Sequence, residues 1–168
     1  MHKKLFLISV IILITAVTLF PGKRARMDAY LNAVNEKDPA TKIEKLEGYI
    51  QEYGKERDKY LRYVYIQLCD TTFKVKNYDE AISYGEKALE FADISEGNKL
   101  RVLFHVANGY QATKKDPEKA VQYAQNMMEL SKAVIEKTKG AEIEEDKKEQ
   151  FIKTQKKYYI SGALRIQA

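Results

Sequence analysis

The 168-residue chain is poor in the residues that build cross-linked or catalytic centres: one cysteine, two histidines, three prolines, eight glycines and no tryptophan. A lone Cys69 excludes an intramolecular disulfide framework and any zinc cage made of several thiolates. It reads as a small hydrophobe on a packed face. His2 stands at the start, which leaves His105 for chemistry and provides neither a histidine-rich metal site nor a familiar nucleophilic triad. His105, beside Phe104, reads as a partly buried packing or groove residue. No Gly-x-Gly-x-x-Gly string or phosphate-cradling loop occurs, so a nucleotide site has no support. The carboxylates Glu144-Glu145-Asp146 are followed at once by Lys147-Lys148, the pattern of solvated helix surface. The expectation is a non-enzymatic chain with no metal and no cofactor.

An excess of one charge is missing too. Setting aside Lys3 and Lys4 leaves 27 basic against 24 acidic side chains, a balance of +3. Mixed charge of this kind is a salt-bridging surface; nucleic-acid binding needs clustered Lys and Arg. Few prolines and glycines suit long helices and argue against a many-turned β fold. Tyrosine, by contrast, is abundant at twelve. Its large apolar ring and polar tip suit shallow helix–helix cores with wet edges.

Long apolar runs are absent except at the start. Residues 5–20 (LFLISVIILITAVTLF) carry no charge, follow the basic MHKK, and end at Pro21-Gly22, with Lys23, Arg24 and Arg26 next. A basic start and an apolar core are the leading parts of an export signal. As a helix the sixteen residues span roughly 24 Å, short of the roughly 30 Å hydrocarbon core, which favours a cleavable signal peptide. The lack of a small-x-small pair before Pro21 favours an uncleaved signal anchor instead. Residues 1–22 are read as one or the other. Either directs the chain to a membrane and places the remainder outside the cytoplasm if the N-terminus stays inside.

The remainder repeats. Lys37-Asp38-Pro39, Lys76-Asn77-Tyr78 and Lys115-Asp116-Pro117 are spaced by 39 residues. Each precedes an amphipathic run in the same phase: PATKIEKLEGYIQEY, YDEAISYGEKALEF and PEKAVQYAQNMMEL. Ile43, Ile82 and Val121 are equivalent, as are Ile50, Leu89 and Met128. A period of this length marks stacked units, each too small to bury its own apolar face. Each unit reads as two helices. Tyr65, Leu68, Cys69 and Thr72 share one helical face, and Tyr78, Ala81, Ile82, Gly85, Ala88 and Leu89 trace the inner face of the mate. In the next unit Leu103, Val106, Ala107 and Tyr110 pair with Ala120, Ala124 and Met127. Small residues at a helix crossing let two backbones approach closely. Pro39 and Pro117 sit in a first helical turn, where the missing N–H costs nothing.

These runs resemble tetratricopeptide repeats. YDEAISYGEKALEF is similar to the second helix of that motif, with Tyr78, Ala81, Tyr84 and Ala88 at its characteristic places. LFHVANGYQATKKDPEKAVQYAQNMMEL is similar to a full repeat whose turn holds one extra residue. The departures are Cys69, Thr72 and Gly85 in the central unit, Ile43 at the alanine place in the first, and a period longer than the family's. The resemblance implies an all-α fold: a right-handed α-solenoid of antiparallel helix pairs (24–53, 62–91 and 100–135, within 23–135), preceded by a hydrophobic N-terminal helix. It also implies a concave face lined by the first helices. Carried over by position, its groove residues are Tyr63, Ile66, Asp70, Phe73 and Lys74 in the central unit and Arg101, Phe104, Asn108 and Gln111 in the next. Aromatic anchors with Arg, Lys and Asn suit a protein or peptide segment.

Residues 131–150 are charge-dense, with Gly140 as a break, and read as solvated helix surface or linker. Beyond them Phe151, Ile152, Gln155, Tyr158, Tyr159, Gly162, Ala163 and Ile166 keep a helical phase. This stretch, within 136–168, is read as a charged linker and a capping helix. The expected function is a cell-envelope scaffold or adaptor that binds a partner segment in the groove and the membrane through its N-terminal segment. The alternative is a structural subunit of a membrane-associated assembly, homo- or hetero-oligomeric, whose C-terminal helix completes a neighbour's stack.

Overall fold

Local signals set the helix starts. The Asp38 carboxylate accepts a hydrogen bond from the Thr41 amide at 2.9 Å, and Asp116 accepts one from the Lys119 amide at 3.0 Å, each just before a proline-led helix. Ser95 does the same for Asn98. Each bond satisfies a backbone donor that a helix start leaves unpaired. In a computed structural model, residues 22–56 and 58–168 are described. They form α1 (Lys23–Val34), α2 (Pro39–Tyr53), α3 (Leu61–Lys74), α4 (Tyr78–Leu89), α5 (Glu96–Thr113), α6 (Pro117–Lys139), α7 (Glu145–Gln155), a π-helical turn (Lys156–Ile160) and α8 (Ser161–Gln167). No strand occurs among the described residues, and the fold is all-α. The apolar segment 5–20 and His2 lie outside the described residues. Within them, no helix is long and apolar enough to cross a membrane.

Each helix packs on the next from α1 to α6; α1 also touches α3, α3 touches α5, and α5 touches α8. Three apolar clusters follow the chain. The first joins Leu46 and Tyr49 to Val64 and Leu68; the second joins Ile66 and Cys69 to Ile82, Val102 and Val106; the third joins Leu100 and Leu103 to Met127 and Ala163. Burying one such Leu, Ile or Met contributes roughly 1.5–3 kcal/mol. The clusters are stitched by shared residues. Tyr84 packs on the first and second, and Tyr123 on the second and third.

Those two tyrosines make the 39-residue period visible as geometry. Tyr84 Oη donates to Glu47 Oε1 at 2.5 Å, and Tyr123 Oη donates to Glu86 Oε1 at 3.0 Å, both across 37 residues. Donor and acceptor each move by one period between the two bonds. The same bridge therefore joins α4 to α2 and α6 to α4. Tyr110 Oη also donates to Glu86, at 2.8 Å, and stacks on Tyr123.

Close backbone approach explains Gly85. A Cβ there would collide with Val106 Cγ2 and sit 3.1 Å from Cys69 Sγ, so α4 lies against both α3 and α5 only because it lacks a side chain. Lys76 and Lys114 hold left-handed backbone (φ 62° and 55°) and end α3 and α5.

The C-terminal third departs from the sequence reading in two ways. The stretch 131–150 is helical on both sides of a break at Gly140, but its first part is not wholly solvated. Residues 131–139 continue α6 and bury Ser131, Val134 and Ile135, with the Ser131 hydroxyl donating to Gln155 Oε1 at 3.1 Å. Three inward residues outweigh the surrounding charge, which points to water. Secondly, two members of the apolar helical spacing, Phe151 (38% exposed) and Tyr158 (52%), stay open. Tyr158 lies within the π turn, which adds a residue to its turn and shifts the phase there. Gln155, Gly162 and Ala163 are the buried members.

Candidate interaction surface

The contacts among α1, α3 and α5 place the first helix of each pair side by side, so one surface carries residues from two or more units. Tyr63 stands half-buried with its ring 6.4 Å from that of Tyr30, and the Arg62 guanidinium lies over it at 4.6 Å. Arg62 is itself held by Asp93. Phe73 forms the centre of an aromatic group, with ring centroids at 4.3 Å from His105, 5.5 Å from Tyr78 and 6.2 Å from Phe104. Phe104 meets Tyr159 edge-on at 6.3 Å, which brings the C-terminal helix to the border of the surface.

Asp70 lies beneath this group, 6% exposed. Its Oδ2 is 3.2 Å from Arg101 Nε and its Oδ1 is 3.1 Å from His105 Nε2. Asp70 Oδ1 and Arg101 Nε have no aligned hydrogen bond, so these are close polar contacts rather than directed bonds. Arg101 and His105 are four residues apart and share the face of α5 that meets α3, which is why one carboxylate reaches both. The Arg101 side chain remains 41% exposed, and its Nη2 donates to Asn98 Oδ1 at 3.1 Å.

No protein-family model, curated protein or solved structure matches the chain.

Of the nine residues predicted to line a groove, seven are at least partly open: Tyr63, Phe73, Lys74, Arg101, Phe104, Asn108 and Gln111. Ile66 is not available; it is 1% exposed and packs in the second cluster. The same helix turn that points Tyr63 outward points Ile66 at α4 and α5. Asp70 is turned inward as well and serves as the tie between α3 and α5 rather than as an open acceptor. Asn108 spends one donor internally, its Nδ2 donating to the Phe104 carbonyl at 2.7 Å.

Two contributors were missed by position-by-position transfer. Lys42 of α2 lies near Lys74 and Asp70; burial first, and then Lys74, push its ammonium below the ordinary lysine value. Its Nζ donates to the Val34 carbonyl at 2.7 Å. Tyr159 enters from the C-terminal π turn, its phenol pushed up chiefly by burial. Neither had a usable signal, because one sits on a second helix and the other beyond the repeats.

The open side chains are of two kinds. Phe73 and Phe104 present apolar area, while Lys74, Arg101 and Gln111 present donors at its rim. The Cys69 thiol is fully buried, and burial pushes it far above the ordinary thiol range. Among the described residues, no group of three or more His, Cys, Asp or Glu could hold a metal ion.

Proposed function

We propose that this chain is a non-enzymatic adaptor in which tetratricopeptide-like helix pairs form a right-handed solenoid, and the first-helix face binds a segment of a protein partner. The observation that carries the reading is the set of Phe73, Lys74, Arg101, Phe104 and Gln111 on the adjoining helices α3 and α5, each at least partly open, with Phe73 and Phe104 in ring contact. The repeated tyrosine–glutamate bridge supports a stack with one step per unit. The apolar segment 5–20 supports a membrane-directed chain at the cell envelope, outside the cytoplasm, and the mixed charge supports protein rather than nucleic acid as partner.

Site-specific photo-crosslinking in cells expressing the full chain tests this reading. A photoreactive residue at Lys74 or Gln111 should trap the same partner, one at exposed Gln125 on α6 should not, and Lys74→Glu should weaken the adduct formed from Gln111. Adducts from Gln125 alone, or none from both first-helix positions, would remove the basis for the groove.

A further inference from the structure

Apolar exposure is concentrated at the C-terminal end. Of the seven large hydrophobic side chains exposed among the described residues, four (Ile143, Phe151, Tyr158 and Leu164) fall within residues 143–164. The same stretch of chain carries a trough of about 970 Å³, lined by Asp146, Glu149, Gln150, Ile152, Lys153, Lys156, Lys157 and Ser161; none of those four apolar side chains lines it. Every lining residue belongs to α7, the π turn or the start of α8, so the trough follows a single helical path.

Its charges are sorted. The carboxylates Asp146 and Glu149 occupy the first half, and the ammonium groups of Lys153, Lys156 and Lys157 occupy the second. Among the described residues none of these five makes an ion pair, although the neighbouring Glu144 and Glu145 pair with Lys147 and Lys148. A surface that is acidic at one end and basic at the other complements itself when turned end for end, which is the requirement for a two-fold interface.

We infer that this trough is the contact between two copies of the chain, packed antiparallel about an axis at Phe151–Ile152. The register follows from the sequence positions. Turning one copy about that axis lays Asp146 of each over Lys157 of the other, sets Glu149 one residue from register with Lys153, and places the two Ile152 one residue apart along the helix at the axis. A second copy satisfies both ends at once, whereas a uniformly acidic or basic partner satisfies one end and repels the other. One helix per copy is a small contact, at the low end of specific interface sizes, so the dimer is weak, reversible and salt-sensitive. The trough residues are distinct from those of the first-helix surface. Dimerisation through them leaves both first-helix surfaces open, and a partner with two binding segments would be held with avidity. The inference stands apart from the groove reading, since it rests on residues the groove does not use.

The test uses the full chain in excess detergent micelles, with a cysteine at the axis. Cys69 is buried and silent, so Ile152→Cys supplies the reactive thiol, and Ser83→Cys on exposed α4 is the control. A symmetric disulfide needs Cα atoms within about 7 Å, which only the axial position meets. Ile152→Cys should form a disulfide dimer that fades as salt rises toward about 1 M, where the Debye length is about 3 Å. Adding Asp146→Lys with Glu149→Lys should lower the yield roughly tenfold, and so should Lys153→Glu with Lys157→Glu. Mixing those two variants should restore it as a mixed dimer. Equal yields from Ser83→Cys, insensitivity to the charge changes, or a mixture no better than its components would each overturn the two-fold pairing.

Discussion

At the scale of single residues, the packing depends most on a side chain that is missing. Gly85 lets α4 lie against α3 and α5 at once, and the atoms a Cβ would meet belong to Val106, Cys69 and Val102. These are branched or buried groups with little room to move, unlike the far end of a flexible surface side chain. Gly85→Ala should therefore destabilise by about 1–3 kcal/mol, the usual range for overpacking, despite the gain in helix propensity. A denaturant midpoint unchanged or raised by the substitution would show that α4 can slide. Sequence pattern identifies Gly85 as an inward residue. It does not reveal that two neighbours converge on it, because that depends on helices 16 and 21 residues away along the chain. Asp70 is the same kind of case: its place on a first helix suggests an open groove, and only the approach of Arg101 and His105 turns it into an internal tie.

At the scale of helical elements, the question is what couples one pair to the next. Apolar contact does most of it, and the bonds from Tyr84 to Glu47 and from Tyr123 to Glu86 add direction. Tyr84→Phe and Tyr123→Phe keep the ring and remove one hydrogen bond to a carboxylate. Each should cost about 1 kcal/mol, and the two costs should be similar because the bridges are one period apart. Chemical denaturation of the two variants measures this. A neutral effect at one site would mean that the units are not equivalent in energy. The repeat itself is legible in the sequence, since Glu47 and Glu86, like Tyr84 and Tyr123, are 39 residues apart. Their pairing is not, because periodicity gives the step between equivalent residues and says nothing about which residues touch across it. The C-terminal helix shows the converse. Its apolar spacing is plain, yet the π turn at Lys156–Ile160 alters the phase that spacing predicts.

For the whole molecule, the abundance of tyrosine sets a pH limit. Burial, reinforced by glutamate or aspartate neighbours, raises Tyr49, Tyr84, Tyr110 and Tyr123 above the ordinary value of 10.0, and Tyr53 is pushed up to about 12. A group whose folded pKa exceeds its unfolded one contributes fully below the unfolded value and loses that contribution as pH rises toward the folded one. The fold should therefore keep its helicity up to about pH 10 and lose it between about pH 10 and 12, together with the appearance of tyrosinate. Circular dichroism and tyrosinate absorbance followed in one titration check this. Tyrosines that ionise near pH 10 with helicity intact would show that they are not part of the cohesive core. The sequence alone determines that the described chain is helical, that its helices come in pairs with a 39-residue step, and which face of most helices turns inward; these follow from local capping and hydrophobic period. The tertiary structure decides which polar residues are spent as ties, where the helical phase slips, and which surfaces stay open, because those depend on groups distant in sequence meeting in space.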